Sequence, residues 1–135
     1  MILLDTDVLL DVALNRHPHA DASSEFLAKV ADGTPEGFVA WHSVSNLFYV
    51  IARARGAAAA RDFITGLMDY LAVAPASTEA VRYAASLPMA DFEDAMQVAA
   101  ARACNAEYIV TRNLSDFERS PIPAVTPQEA LTRLH

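Results

Sequence analysis

The chain has 135 residues, of which 53% are apolar and 20% are charged, and its mean hydropathy is slightly positive. These values predict one compact domain over residues 1–135 and exclude extended disorder. Seventeen acidic residues against ten basic ones give a net charge of −7, which argues against a broad basic face for duplex DNA, because non-specific DNA affinity is built from many cation–phosphate contacts.

The sequence also argues against a membrane anchor, a secretory leader and a disulfide framework. It contains no run of about 18 uncharged apolar residues, and Asp5, Asp7 and Asp11 interrupt the apolar start where a signal peptide would need an unbroken core. We therefore expect a cytoplasmic protein that does not contact membranes. Cys104 is the single cysteine and stands among small residues, so we expect it to be buried and to form neither a disulfide nor a zinc site.

Short apolar runs alternate with segments of helical periodicity, a pattern typical of an α/β fold. Glycine and proline residues separate the segments, and no repeat or linker indicates a domain boundary. In chain order, the predicted elements are a strand at 1–4, helices at 8–14 and 20–31, a strand at 37–41, helices at 43–55 and 57–70, a strand at 71–74, helices at 78–86 and 91–104, strands at 107–111 and 121–125, and a helix at 128–134.

Polar and acidic side chains follow the predicted strands or open the predicted helices. In a parallel sheet with crossover helices, the carboxyl end of every strand and the amino end of every helix share one edge, and ligands bind there. We therefore expect that edge to collect Asp5, residues 111–116, the acids at 91–94 and the polar side chains at 43–46.

Carboxylates that converge without lysines repel one another unless a cation neutralises them or some remain protonated. Mg²⁺ or Mn²⁺ is the natural ligand, because hard divalent ions prefer oxygen donors. Taken singly, most of these acids also have a structural explanation. Asp7 and Asp91 suit helix N-caps, Asp94 suits a first helical turn, and Asp116 suits a turn. Asp5 is different, because an aspartate directly after a buried strand needs a partner.

Three motifs make the sequence resemble the PIN-domain family, which includes the VapC-type toxins of bacterial toxin–antitoxin pairs. The first is the opening Ile-Leu-Leu-Asp5-Thr-Asp-Val, the second is Asp91-Phe-Glu-Asp94-Ala with its alanine-rich helix, and the third is Thr111-Arg-Asn-Leu-Ser-Asp-Phe. Together they extend the resemblance over essentially the whole chain.

The resemblance implies a three-layer α/β/α fold with a short, mostly parallel central sheet of four to five strands, and a Mg²⁺- or Mn²⁺-dependent ribonuclease. It implies that Asp5, Asp94 and Asp116 are the catalytic, metal-binding acids, and that Thr111 and Asn113 support the last of them. It also implies an RNA substrate and the possibility of a cognate antitoxin, and an apolar face on the helices between residues 20 and 55 would suit that antitoxin or a homodimer.

The sequence departs from the family pattern at one position. The family commonly places a glutamate on the helix after the second strand, whereas this chain has Ser45 and Asn46 there and no acid between residues 37 and 61. We interpret Asn46 as a supporting residue and hypothesise that Asp91 supplies the absent carboxylate as a further metal ligand. Arg112 and Arg119 are candidate phosphate contacts.

Two alternatives stay open at this point. With Asn46 in place of the acid, the domain would be a weak catalyst that binds RNA or a protein partner. The opening around Asp5 and Asp7 also resembles the haloacid-dehalogenase-like phosphatases, but that family needs a lysine late in the chain and the only lysine is Lys29.

Overall fold

A computed structural model describes residues 1–134. The described elements are β1 (Ile2–Leu4), α1 (Thr6–Ala13), α2 (His19–Ala31), β2 (Gly37–Val39), α3 (Trp41–Arg55), α4 (Ala57–Leu67), β3 (Leu71–Val73), α5 (Thr78–Ser86), α6 (Phe92–Ala103), β4 (Tyr108–Val110), a 3₁₀ turn (Leu114–Phe117), β5 (Ala124–Val125) and α7 (Pro127–Arg133).

The five strands form one entirely parallel sheet in the order β3-β2-β1-β4-β5, which confirms the predicted α/β architecture. In the register, Leu4 is level with Val39 on one side and with Val110 on the other. The backbone N–H of Asp5 donates to the Val110 carbonyl at 2.9 Å. The strand register therefore brings Asp5 to the level at which both neighbouring strands end.

Helices cover both faces of the sheet, as the predicted three-layer arrangement requires. Ile2 and Leu4 point into the core formed with α1, α2, α3, α4 and α7, whereas Leu3 points into the core formed with α6. This alternation follows from the period of two in a strand. A strand buried on both faces reads as an unbroken apolar run, which is why β1 was predictable. Cys104 is buried, as predicted.

Helix α1 begins at Thr6, two residues before the predicted start. Asp5 is its N-cap, with extended backbone and with Oδ1 accepting a hydrogen bond from the Thr6 N–H at 2.8 Å. The interpretation of Asp7 as the N-cap was therefore wrong. Asp5 occupies the N-cap position, and its side chain accepts the hydrogen bond from the first backbone N–H of the helix. Asp91 does cap α6, as predicted.

Helix α3 also begins two residues early, at Trp41 rather than at residue 43. Strand β2 ends at Val39, and Ala40 is the extended N-cap of the helix. Trp41 and His42 therefore belong to the first turn of α3 and not to a strand. No helix within residues 1–134 has the length and apolar composition needed to cross a membrane.

Gly37 in β2 lies where a larger residue does not fit. A Cβ at this position would lie 2.7 Å from Leu71 Cδ2 and 2.8 Å from Val30 Cγ1. We predict that Gly37→Ala lowers the free energy of unfolding by about 1–3 kcal/mol, measured by urea denaturation. Gly66→Ala is the matched control, because nothing lies within 4 Å of its Cβ position on α4, and it should stabilise the protein by about 0.5–1 kcal/mol. Equal effects of the two substitutions would contradict this packing argument.

Candidate metal centre

Asp5 lies at the carboxyl end of the central strand and is only 6% exposed. Both of its carboxylate oxygens are held. Oδ1 accepts from the Thr6 backbone, and Oδ2 accepts from the Thr111 hydroxyl at 2.8 Å. Because these contacts come from the residues that follow β1 and β4, the sheet register itself fixes the orientation of this carboxylate.

The N-cap and the first turn of α6 contribute three more acids. Asp91 Oδ1 accepts from the Asp94 N–H at 3.1 Å, and carboxylate oxygens of Asp91, Glu93 and Asp94 lie within 4.8 Å of one another.

Asp116 joins this group from the 3₁₀ turn. A pocket of about 430 Å³ is lined by Asp91, Asp94, Asp116 and Arg119, among others. The structure thus brings the second and third predicted catalytic acids to one pocket, together with the predicted extra ligand, Asp91. Asp5 does not line this pocket, and the α6 acid whose charge acts on it is Glu93.

Burial and neighbouring charges raise the pKa of two carboxylates of the site, Asp5 and Asp94, whereas the hydrogen bond with His42 lowers the pKa of Glu93. Burial, followed by the charge of Asp7, raises the pKa of Asp5 to about 8, although the hydrogen bond from Thr111 opposes the shift. Burial and the charges of Asp91, Glu93 and Asp116 raise the pKa of Asp94 to about 7. The metal-free site therefore retains protons that free carboxylic acids would have lost near neutral pH.

Thr111 and Asn113 do not support Asp116 with their side chains, which corrects the sequence-based expectation. The Thr111 hydroxyl donates to Asp5, and Asn113 Nδ2 donates to Asp7 Oδ2 at 2.6 Å. Asn113 meets Asp116 only through its backbone carbonyl. The loop after β4 therefore orients the two acids that follow β1, because those strands are neighbours in the sheet.

Asn46 and Arg112 do not make the contacts that the sequence suggested. Asn46 lies on α3, as predicted, but it is exposed and makes no side-chain hydrogen bond within residues 1–134. Arg112 Nε donates to the fully buried Asp11 at 2.7 Å, and this ion pair holds the guanidinium beside α1. Arg119, which lines the acidic pocket, is the better placed of the two candidate phosphate contacts.

Sequence reasoning missed a polar cluster beneath the acids. Gln97 is fully buried, and its Nε2 lies 2.8 Å from Ser43 Oγ, 3.2 Å from Thr6 Oγ1 and 3.1 Å from Glu93 Oε1. His42 Nε2 lies 3.2 Å from the same Glu93 oxygen. One signal was present in the sequence, because Gln97 lies four residues after Glu93, on the same face of an otherwise alanine-rich helix.

The donor set fits a hard divalent cation. The clustered acids offer only oxygen atoms, which Mg²⁺ and Mn²⁺ prefer. A bound cation would also offset the burial and the repulsion that raise the pKa values of Asp5 and Asp94.

These shifts predict a pH dependence of stability in the metal-free protein. The pKa of Asp5 is higher in the folded protein than in the unfolded chain, so the folded state holds more protons between about pH 4 and pH 8. In EDTA, the Tm of the wild type should therefore fall as the pH rises from 5 to 8. Asp5→Asn should reduce this slope and raise the Tm at pH 8 by about 4 °C or more, measured by circular dichroism. If the Tm of Asp5→Asn changed with pH as steeply as that of the wild type, the raised pKa of the buried Asp5 would be contradicted.

Comparison with known proteins places this geometry in a family. The sequence model of the PIN domain matches residues 1–115. No characterised protein of a curated set matches the sequence significantly.

Several solved structures share the fold. VapBC2 from Rickettsia felis, bound to a DNA fragment from its promoter, matches with a TM-score of 0.73 and 18% identity over 93% of this chain and 98% of that chain. A toxin–antitoxin complex from Klebsiella pneumoniae matches with a TM-score of 0.72 and 19% identity over 94% and 98%. VapC20 from Mycobacterium tuberculosis, a toxin that cleaves the sarcin–ricin loop, matches with a TM-score of 0.65 and 14% identity over 81% and 87%.

Proposed function

Because the chain belongs to the PIN-domain family, we propose that it is a metal-dependent ribonuclease and the toxin of a toxin–antitoxin pair. The observation that carries the proposal is the gathering of acids from β1, α6 and the 3₁₀ turn at one edge of the sheet. The similar folds of VapC20, a toxin that cleaves the sarcin–ricin loop, and of two toxin–antitoxin complexes support it. The family assignment replaces the phosphatase alternative.

In this proposal Asp5, Asp94 and Asp116 bind Mg²⁺ or Mn²⁺, with Asp91 at the rim of the same pocket. A cation held by these residues would supply activation of a water molecule for attack on the phosphodiester and neutralisation of charge on the phosphate. Burial keeps the Asp5 carboxylate away from bulk water, and its two hydrogen bonds hold it in one orientation for the ion. Such a preorganised ligand need not be reoriented during the reaction.

Arg119 has the role of phosphate contact. It is the basic residue that lines the pocket of Asp91, Asp94 and Asp116, and a guanidinium can meet two phosphate oxygens at once. Arg112 instead holds the loop after β4 through its ion pair with buried Asp11, which keeps Thr111 and Asn113 in place.

Two protein partners are proposed for the chain, an antitoxin and a second copy of itself. An antitoxin partner is supported by the toxin–antitoxin complexes that share the fold. A homodimer remains a proposal from the exposed apolar surface. On α3, Trp41 is 66% exposed and Tyr49 is 68% exposed, and these two side chains are candidates for a protein contact.

The nuclease proposal predicts metal-dependent RNA cleavage by the purified protein. With structured RNA and Mg²⁺ or Mn²⁺, the wild type should yield discrete fragments on a denaturing gel, and EDTA should abolish them. Asp5→Asn and Asp94→Asn should each lower the cleavage rate by about 100-fold or more, because each removes a ligand from an ion that supplies several kcal/mol of transition-state stabilisation.

Asp32→Asn is the matched control for this experiment. Asp32 is an exposed aspartate at the carboxyl end of α2, at the opposite edge of the sheet, so its substitution should leave the rate unchanged. RNA that stays intact at a large excess of folded wild-type protein would contradict the nuclease, and binding without cleavage would favour the weak catalyst that binds RNA.

The toxin role predicts growth inhibition in a bacterial host. Induction of the wild type should reduce colony counts by about tenfold or more, whereas Asp94→Asn at equal expression should not, because the arrest requires cleavage. Equal inhibition by both proteins would contradict a toxin that acts through this site.

A further inference from the structure

Helix α3 contributes no acid to the edge of the sheet. The chain has no aspartate or glutamate between residues 37 and 61, and Asn46 is exposed. The side of the site next to α3 would therefore lack a carboxylate unless another element reached across to it.

Glu93 reaches this side from α6. Its Oε1 lies 3.2 Å from Nε2 of His42, in the first turn of α3. One of its carboxylate oxygens lies within 4.8 Å of a carboxylate oxygen of Asp94, and its charge acts on Asp5. Glu93 is thus the acid that lies between the carboxylate of β1 and those of the α6 pocket.

Gln97 fixes this position from below. Its amide nitrogen lies within hydrogen-bonding distance of Glu93, Ser43 and Thr6, so one buried side chain joins α6 to α3 and α1. Its Oε1 has no hydrogen-bond partner among the described residues. A buried acceptor without a partner costs stability, so this amide is not explained by stability alone.

The hydrogen bonds also leave part of Glu93 available. His42 and Gln97 both meet the same oxygen, Oε1, so these contacts orient the carboxylate without occupying Oε2. Asp91 is less well suited to the same task, because it is exposed and its Oδ1 already caps α6.

We propose that Glu93 is the metal-binding carboxylate that replaces the absent acid of α3, and that His42 and Gln97 are its positioning residues. The inference rests on the proposed metal site, and it assigns to Glu93 the task that the sequence suggested for Asp91. On this proposal, α6 rather than α3 supplies the carboxylate on the side of the site next to α3.

Mn²⁺ binding to the purified full chain tests this inference without any need for activity. Electron paramagnetic resonance of free Mn²⁺ gives the affinity of each variant, and circular dichroism in EDTA confirms that each one folds. Glu93→Gln keeps an oxygen that can accept from His42 and Gln97, and it should weaken Mn²⁺ binding by about tenfold or more. Asp91→Asn should change the affinity by less than about threefold, because an asparagine oxygen can still cap the helix.

The positioning role has its own test. His42→Ala should weaken Mn²⁺ binding by about tenfold, and His42→Gln should recover most of the affinity, because an amide can still donate to Glu93. Failure of His42→Gln to recover any affinity would contradict positioning through this hydrogen bond.

The outcomes separate the two proposals. If Asp5→Asn and Asp94→Asn lose Mn²⁺ affinity while Glu93→Gln does not, the role of Glu93 is overturned and the metal site stands. If Asp91→Asn weakens binding more than Glu93→Gln does, Asp91 is the replacing ligand instead. If the folded wild type binds no Mn²⁺, the metal-dependent function and the role of Glu93 fail together.

Discussion

Burial of carboxylates at the carboxyl edge of the sheet, together with their mutual repulsion, is the constraint on which the site depends. The parallel register of β1 with β4 forces Asp5 beside Thr111, and the start of α6 places Glu93 where its charge acts on Asp5, with Asp94 next to Glu93. Hydrophobic burial of β1 thus carries a charged group into a region of low solvent access. The raised pKa values of Asp5 and Asp94 express this conflict, and a divalent cation would resolve it.

The hydrogen bonds around the acids show how the fold tolerates the conflict. Two sets of hydrogen bonds, joined through Thr6, hold the acids. The loop after β4 holds the acids of β1 and α1 through Thr111 and Asn113, and the buried Gln97 holds Glu93. These hydrogen bonds orient Asp5, Asp7 and Glu93 in the protein without any ligand.

The sequence was sufficient to predict the α/β architecture but not the side-chain contacts of the site. Unbroken apolar runs identified the buried strands, and topology placed Asp5 near the start of α6. It could not show that Asn113 contacts Asp7, 106 residues away, because that depends on side-chain direction in a loop. It could not single out Gln97 either, since a polar residue in an alanine-rich helix is equally compatible with exposure to solvent. The helix starts were missed by two residues where Asp5 and Ala40 act as caps.

The most direct test of the account is a crystal structure of the protein soaked in Mn²⁺, with anomalous diffraction recorded at the manganese absorption edge. The account predicts a strong anomalous peak about 2 Å from carboxylate oxygens of Asp5, Asp94 and Asp116. A peak bound only to other residues, or no peak at saturating Mn²⁺, would contradict a metal centre at this edge of the sheet.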